Sequence, residues 1–272
     1  KTDINVRQIL YVKDGERGIR QSDGVFQHMK LMPVMYEKLS EQIDFKDVKA
    51  VGVSTRPRCV EGSYMPVFLA GEGYAKVVAN TLGVPLYEFS HQDGHIMAGI
   101  YSSGSFELLE NDFISVHLSG GTTEILKSRY NEFNFDNEII GGSKDISAGQ
   151  FIDRVGVKMG LHFPAGKALE QLALKAEKSE KLPTAVDGAY MNFSGVETKA
   201  SRMAESEKCD KSALALGVLE NVRDTLVKTI NKAMTDTNTH RVLIVGGVAS
   251  NGIIRNGLTK KLDGDVYFAK AE

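Results

Sequence analysis

Two stretches of this chain end an apolar run on a pair of glycines. Ile114-Ser-Val-His-Leu118 runs into Ser119-Gly120-Gly121, and Arg241-Val-Leu-Ile-Val245 runs into Gly246-Gly247. A strand that stops on glycine brings bare backbone N–H groups forward, with no Cβ in the way of an anion. One such stop is an ordinary tight turn. Two, the second opening a helix, fit paired phosphate loops. A chain built this way alternates strands with helices.

The rest of the pattern agrees. A short strand is expected over residues 7–13, a turn at Asp14-Gly15 and a polar loop over 16–24. The spacing predicts a helix over 27–39, with Met29, Met32 and Met35 in the core and Pro33 an awkward guest. A strand over 48–53, a loop over 54–63, a helix over 68–82 stopped by Gly83 and a strand over 84–89 follow. His91-Gln-Asp-Gly-His95 then opens a helical run. Near residue 108 the pattern restarts. Strands 113–118 and 123–127 form a hairpin, and Gly141-Gly142 follows Ile139-Ile140. Helices are expected over 147–160, 168–176, 213–234 and 251–262. Strands are expected over 241–245 and 266–269, turns or loops over 161–166 and 177–192. Strand, glycine turn and helix recur in each half. That predicts an α/β protein of two similar lobes, 1–108 and 109–272, with a ligand between them.

Bulk properties narrow the function. The 272 residues carry a net charge of −2, so there is no general basic footprint. Nucleic acid, if bound, meets a local patch or arrives through a partner. Two cysteines, Cys59 and Cys209, make neither a disulfide framework nor a zinc ribbon, which points to a reducing, cytoplasmic setting. No apolar run reaches the ~18 residues of a membrane span, and no signal peptide is visible at Lys1. The chain opens abruptly on Lys1-Thr-Asp-Ile4 and stops on Lys270-Ala-Glu272, so both ends are expected to be cuts.

Few residues can carry chemistry. His91 and His95 share a helix face, so both imidazoles can reach one ion, zinc or iron, with a third ligand that is a carboxylate. The alternative is two helix-face histidines, one of them capped by a carboxylate. Asp153 can accept from ribose hydroxyls or simply face solvent. Gly166, in Phe-Pro-Ala-Gly, reads as a turn glycine. Arg17, Arg20, Arg56 and Arg58 form loop clusters that meet a phosphate or water.

Five ordered blocks carry a resemblance. They are His91-Gln-Asp-Gly-His95; Leu118-Ser-Gly-Gly121; Ala148-Gly-Gln-Phe-Ile-Asp153 with Gly160-Leu-His-Phe-Pro-Ala-Gly166; Asn192-Phe-Ser-Gly195; and Val245-Gly-Gly-Val-Ala-Ser-Asn251. From about Val48 to Ala269 the chain resembles the TsaD/Gcp family of threonylcarbamoyl transferases, formerly called O-sialoglycoprotein endopeptidases. The resemblance implies the two-lobed α/β fold of the actin-like ATPases (ASKHA), with a nucleotide cleft between lobes. It implies transfer of a threonylcarbamoyl group from threonylcarbamoyl-adenylate to N6 of adenosine 37 of tRNA, with TsaB-like and TsaE-like partner proteins. His91 and His95 would ligate one divalent iron or zinc ion. Residues His117, Leu118, Ser119, Gly120 and Gly121 would contact phosphate and carbamoyl. Asp153 would hold the ribose, Gly166 would lie against the adenosine and Asn251 near the base. Gly246 and Gly247 would form the second phosphate turn, and no protein nucleophile is required.

There are departures from the family pattern. Thr122 stands where the family has a histidine after Ser-Gly-Gly, and Glu197 where it has a lysine. The family's last metal ligand, an aspartate, would fall after Glu272, and its opening Asp-Thr-Ser turn before Lys1. These departures keep a second reading open, a non-catalytic nucleotide-binding scaffold. A metallopeptidase is less favoured, because Gln92 stands where such enzymes carry a general-base Glu.

Overall fold

The computed structural model of the protein describes residues 4–12 and 19–270. The chain divides into two compact units, Lys1–Gly94 and His95–Glu272. The expected boundary at 108/109 falls inside the second. Among the described residues no helix is long and apolar enough to cross a membrane.

In the first unit, helix α1 (Gln21–Ser40) is followed by strand β1 (Val51–Arg56), helix α2 (Phe68–Leu82) and strand β2 (Leu86–Ser90). The two strands pair in parallel, Val51 opposite Leu86, and α2 is the crossover that parallel pairing requires. The strand expected over 7–13 does not form, since residues 4–12 have no regular structure. Their backbone meets a side chain instead of a strand. Gln27 on α1 accepts from the Tyr11 N–H at 2.8 Å and donates to its carbonyl at 3.0 Å. Lys13, the Asp14-Gly15 turn and Arg17 lie outside the described residues. Helix α1 begins at Gln21, inside the stretch read as loop, and carries Pro33 within it. Met29 is exposed, not buried in a core. Arg56 rests its guanidinium on Thr55 and Cys59.

The second unit is built on a seven-stranded sheet. In chain order its strands are β3 (Phe113–Leu118), β4 (Thr123–Tyr130), β5 (Phe135–Ser143), β6 (Ala185–Asp187), β7 (Tyr190–Asn192), β8 (Arg241–Val245) and β9 (Asp265–Phe268). Across the sheet they run β6-β7-β5-β4-β3-β8-β9. The hairpin β3–β4 is antiparallel, and β3, β8 and β9 are parallel. The small β6–β7 hairpin occupies a stretch read as loop.

Side chains alternate across such a sheet with period 2. Ile114, Val116 and Leu118 of β3 and Val242 and Ile244 of β8 face one way. They meet helices α4 (Ala148–Lys158), α5 (Gly166–Ala173), α6 (Ser194–Ala204), α7 (Lys211–Thr237) and α8 (Gly252–Lys261), which supply Phe151, Leu169, Val196, Leu226 and Ile254 to that core. Phe113, Leu126, Leu243 and Val245 face the other way, against Ile96 and Ile100. Those two belong to α3 (His91–Ser103), the helix that opens with the paired histidines. Its start is fixed by a capping box: Asp93 N–H donates to the Ser90 hydroxyl, and the Asp93 carboxylate accepts from Ser90 N–H, each at 3.0 Å.

Candidate functional site

The two glycine turns sit side by side. Strands β3 and β8 are parallel neighbours in register, with His117 opposite Val245. Their carboxyl ends therefore release Ser119-Gly120-Gly121 and Gly246-Gly247 at one edge of the sheet. Ligands of α/β proteins bind outside the carboxyl ends of parallel strands. Nothing stands within 4 Å of where a Cβ would be on Gly120, Gly121 or Gly247, so their backbones are open to an approaching anion. Gly246 is different. A Cβ there would lie 2.3 Å from the Leu118 carbonyl oxygen, and its φ is +107°. It lets the second turn press against the end of the first strand.

The first turn is closed by its own residues and held from below. Ser119 N–H donates to the Thr122 carbonyl at 2.9 Å, and Thr122 N–H donates to the Ser119 hydroxyl at 3.1 Å. Ser147, the N-cap of α4, donates its hydroxyl to the Gly120 carbonyl at 2.7 Å, and Ala148 N–H donates to the Thr123 hydroxyl at 2.9 Å. Gly149 allows this contact, because a Cβ there would lie 2.5 Å from Gly120 Cα. The helix start and the turn thus form one rigid cradle.

The other expected residues are structural as well as available. Asp153 is half-buried on α4, and one carboxylate oxygen accepts from Ala165 N–H at 2.7 Å. That bond fixes the loop ahead of Gly166, the first residue of α5. Asn251 is buried, and its side-chain oxygen caps α8 by accepting from Ile253 and Ile254 N–H, each at 3.1 Å. Its amide nitrogen remains to donate. Glu170 on α5 was not among the expected residues. It accepts from Gly252 N–H at 2.6 Å and so places a carboxylate beside Asn251. Only its position one helical turn after Gly166 hinted at this in the sequence.

The histidines occupy successive turns of α3. Burial lowers the pKa of the His91 imidazole, which favours the neutral form that binds metals. His95 is half-buried, and its ring lies 4.8 Å from that of His117, centroid to centroid, tilted by 59°. The donor chemistry of these imidazoles suits zinc or iron. Among the described residues, no three His, Cys, Asp or Glu groups stand ready around one ion.

Against known proteins, residues 17–272 match the family described as tRNA N6-adenosine threonylcarbamoyltransferase, TsaD. The chain belongs to that family. The TsaD relatives include a tRNA N6-adenosine threonylcarbamoyltransferase of Limosilactobacillus reuteri, 32% identical over 232 residues, which cover 82% of this chain and 63% of that protein. Another, of Shouchella clausii, is 30% identical over 86% of this chain and 69% of its own length. This chain therefore spans about two thirds of the length of these TsaD relatives. The crystal structure of Thermococcus kodakarensis HypF is similar in fold, with a TM-score of 0.61 at 16% identity, over 89% of this chain and 40% of HypF. The α/β architecture expected from the sequence pattern is thus shared with HypF. Both departures from the TsaD pattern are accommodated locally. Thr122 closes the first turn through its backbone N–H and carbonyl, and Glu197 accepts from the Ser201 hydroxyl at 2.7 Å and faces Arg154 at 3.9 Å.

Proposed function

We propose that this chain binds threonylcarbamoyl-adenylate and passes its threonylcarbamoyl group to N6 of adenosine 37 of tRNA. The observation that carries this reading is the adjacency of the two glycine turns at the carboxyl ends of β3 and β8. The backbone N–H groups of residues 119–121 and 246–247 hold the phosphate. Asp153 uses its second carboxylate oxygen for the ribose hydroxyls, Gly166 leaves room for the adenosine, and Asn251 donates toward the base. Glu170 joins them as a second carboxylate near Asn251. His91 and His95 would hold a divalent iron or zinc ion, which would supply Lewis-acid polarisation of the carbamoyl carbonyl.

The chemistry needs no protein nucleophile. The adenosine amine forms a C–N bond to the carbamoyl carbon, the C–O bond to phosphate breaks, AMP leaves and the amine loses a proton. What the chain contributes is orientation and a field of fixed N–H dipoles around the departing phosphate. With a net charge of −2, the chain leaves tRNA to a local patch or to its TsaB-like and TsaE-like partners.

The test is direct. The chain, with its partner proteins, is incubated with threonylcarbamoyl-adenylate and tRNA, and the nucleosides are read by mass spectrometry. N6-threonylcarbamoyladenosine should form, and Asp153→Ala should reduce its rate by at least about tenfold, the loss expected when substrate is misplaced. No product, together with no measurable affinity for the adenylate, would sink the proposal.

A further inference from the structure

We infer that a water-binding site is built into the fold beneath segment 180–184, between Asn221 and Thr225 of α7. The inference does not depend on the transferase reading. Its basis is the way this segment is strapped to the helix, turn by turn. Glu180 N–H donates to the Ala213 carbonyl at 3.1 Å. One turn on, Gly217 lets the strap close in, because a Cβ there would lie 2.3 Å from the Glu180 carbonyl oxygen. The next turn carries Asn221, whose amide nitrogen donates to the carbonyls of Leu182 at 3.3 Å and Pro183 at 2.9 Å. Lys228 ends the series, its ammonium donating to the Thr184 hydroxyl at 2.8 Å. Positions 213, 217, 221, 225 and 228 share one helix face. Thr225 thus falls between the two turns that grip Pro183 and Thr184.

Two polar atoms on that face are left over. Asn221 is 4% exposed and Thr225 1%, yet Asn221 Oδ1 and Thr225 Oγ1 have no hydrogen-bonding partner among the described residues. Native folds rarely carry such atoms, because an unsatisfied buried polar group costs stability. A helical threonine commonly relieves itself by bonding back to the carbonyl four residues earlier. Thr229 does so, donating to the Thr225 carbonyl at 3.1 Å, and Thr225 does not. Asn221 cannot exchange its amide ends, since the end that meets two carbonyls must be the donor. Side chains at i and i+4 have Cβ atoms roughly 6 Å apart, a span that one water bridges with two hydrogen bonds of ~2.8 Å. The water accepts from the Thr225 hydroxyl and donates to Asn221 Oδ1. Its second proton goes to a strap carbonyl, Leu182 or Pro183, each with a lone pair to spare. Three partners are typical of a buried water, and the uncharged pair suits a neutral ligand.

A high-resolution crystal structure of the full chain tests the site directly. The expected result is a water within hydrogen-bonding distance of both Asn221 Oδ1 and Thr225 Oγ1. No water on both atoms, or a Thr225 hydroxyl turned back onto the Asn221 carbonyl, would overturn the inference. Urea denaturation gives a second reading. Thr225→Val keeps the branched shape and a similar helix propensity but removes the hydroxyl. With the water in place, the folded-to-unfolded ratio should fall about fivefold. The loss should shrink in an Asn221→Ala background, where the water has already lost its other anchor. An orphaned hydroxyl gives the opposite sign: Thr225→Val would then be neutral or stabilising, and either outcome contradicts the bridge. Strictly additive losses in the double variant would contradict it as well.

Discussion

Replacing Gly246 with alanine is expected to lower the unfolding free energy by about 3 kcal/mol and to remove nucleotide binding. Two costs combine. The backbone of Gly246 sits at φ 107°, ψ 161°, a region essentially reserved for glycine. The new Cβ would also meet the Leu118 carbonyl oxygen at 2.3 Å and its carbon at 2.7 Å. That carbonyl cannot step aside, because Leu118 is fully buried and paired with Thr123 across the hairpin. Urea denaturation of the two proteins measures the loss. Gly247→Ala is the control. Its Cβ meets nothing within 4 Å, so stability should stay within about 0.5 kcal/mol while affinity for an anion falls. Equal stability of Gly246→Ala and the parent would show that the two turns do not touch.

The second large effect concerns Asp145. Burial by itself would raise the pKa of this carboxyl. Hydrogen bonds from the Ser194 hydroxyl and from the N–H groups of Phe193, Ser194 and Ile146 win and hold it well below the usual carboxylate range. Its oxygens accept from Phe193 N–H at 2.8 Å and Ser194 N–H at 3.0 Å, which caps α6 from across the fold. Removing a cap that satisfies two such donors costs about 2 kcal/mol, so Asp145→Ala should lose roughly that at neutral pH. The sign of the pH dependence follows from the depressed pKa. The stabilisation is fully present above the unfolded-state value, near pH 4, and is lost as pH falls toward the folded-state value. The stability gap between parent and Asp145→Ala should therefore narrow below about pH 4. A gap that stays constant from pH 7 to pH 3 would show that the charge plays no part.

Where local pattern decides structure, the sequence was readable. Helix 68–82 and strands 113–118 and 241–245 form where the apolar spacing puts them. Both glycine turns follow their strands, and the Ser147 cap opens α4. What was hidden depends on residues far away in the chain. Helix α6 starts at Ser194 without a side-chain cap of its own, because Asp145 supplies it from 49 positions upstream. Glu170 gains meaning only through Gly252, 82 positions on. The segment 7–12 looked like a strand by composition, but its backbone pairs with Gln27 rather than with a neighbouring strand. The histidines were visible as a pair one helical turn apart. The nearness of His117 to His95 needed the parity of β3 and the packing of α3, which no local window contains.

Calorimetric titration of ATP into the full chain, with zinc added and withheld, tests the central claim most directly, using the parent and His95→Ala. The account predicts that the parent binds the nucleotide, that zinc tightens this binding, and that His95→Ala loses the gain from zinc but keeps the rest. No heat of binding under either condition would contradict the assignment of the paired glycine turns as the phosphate site.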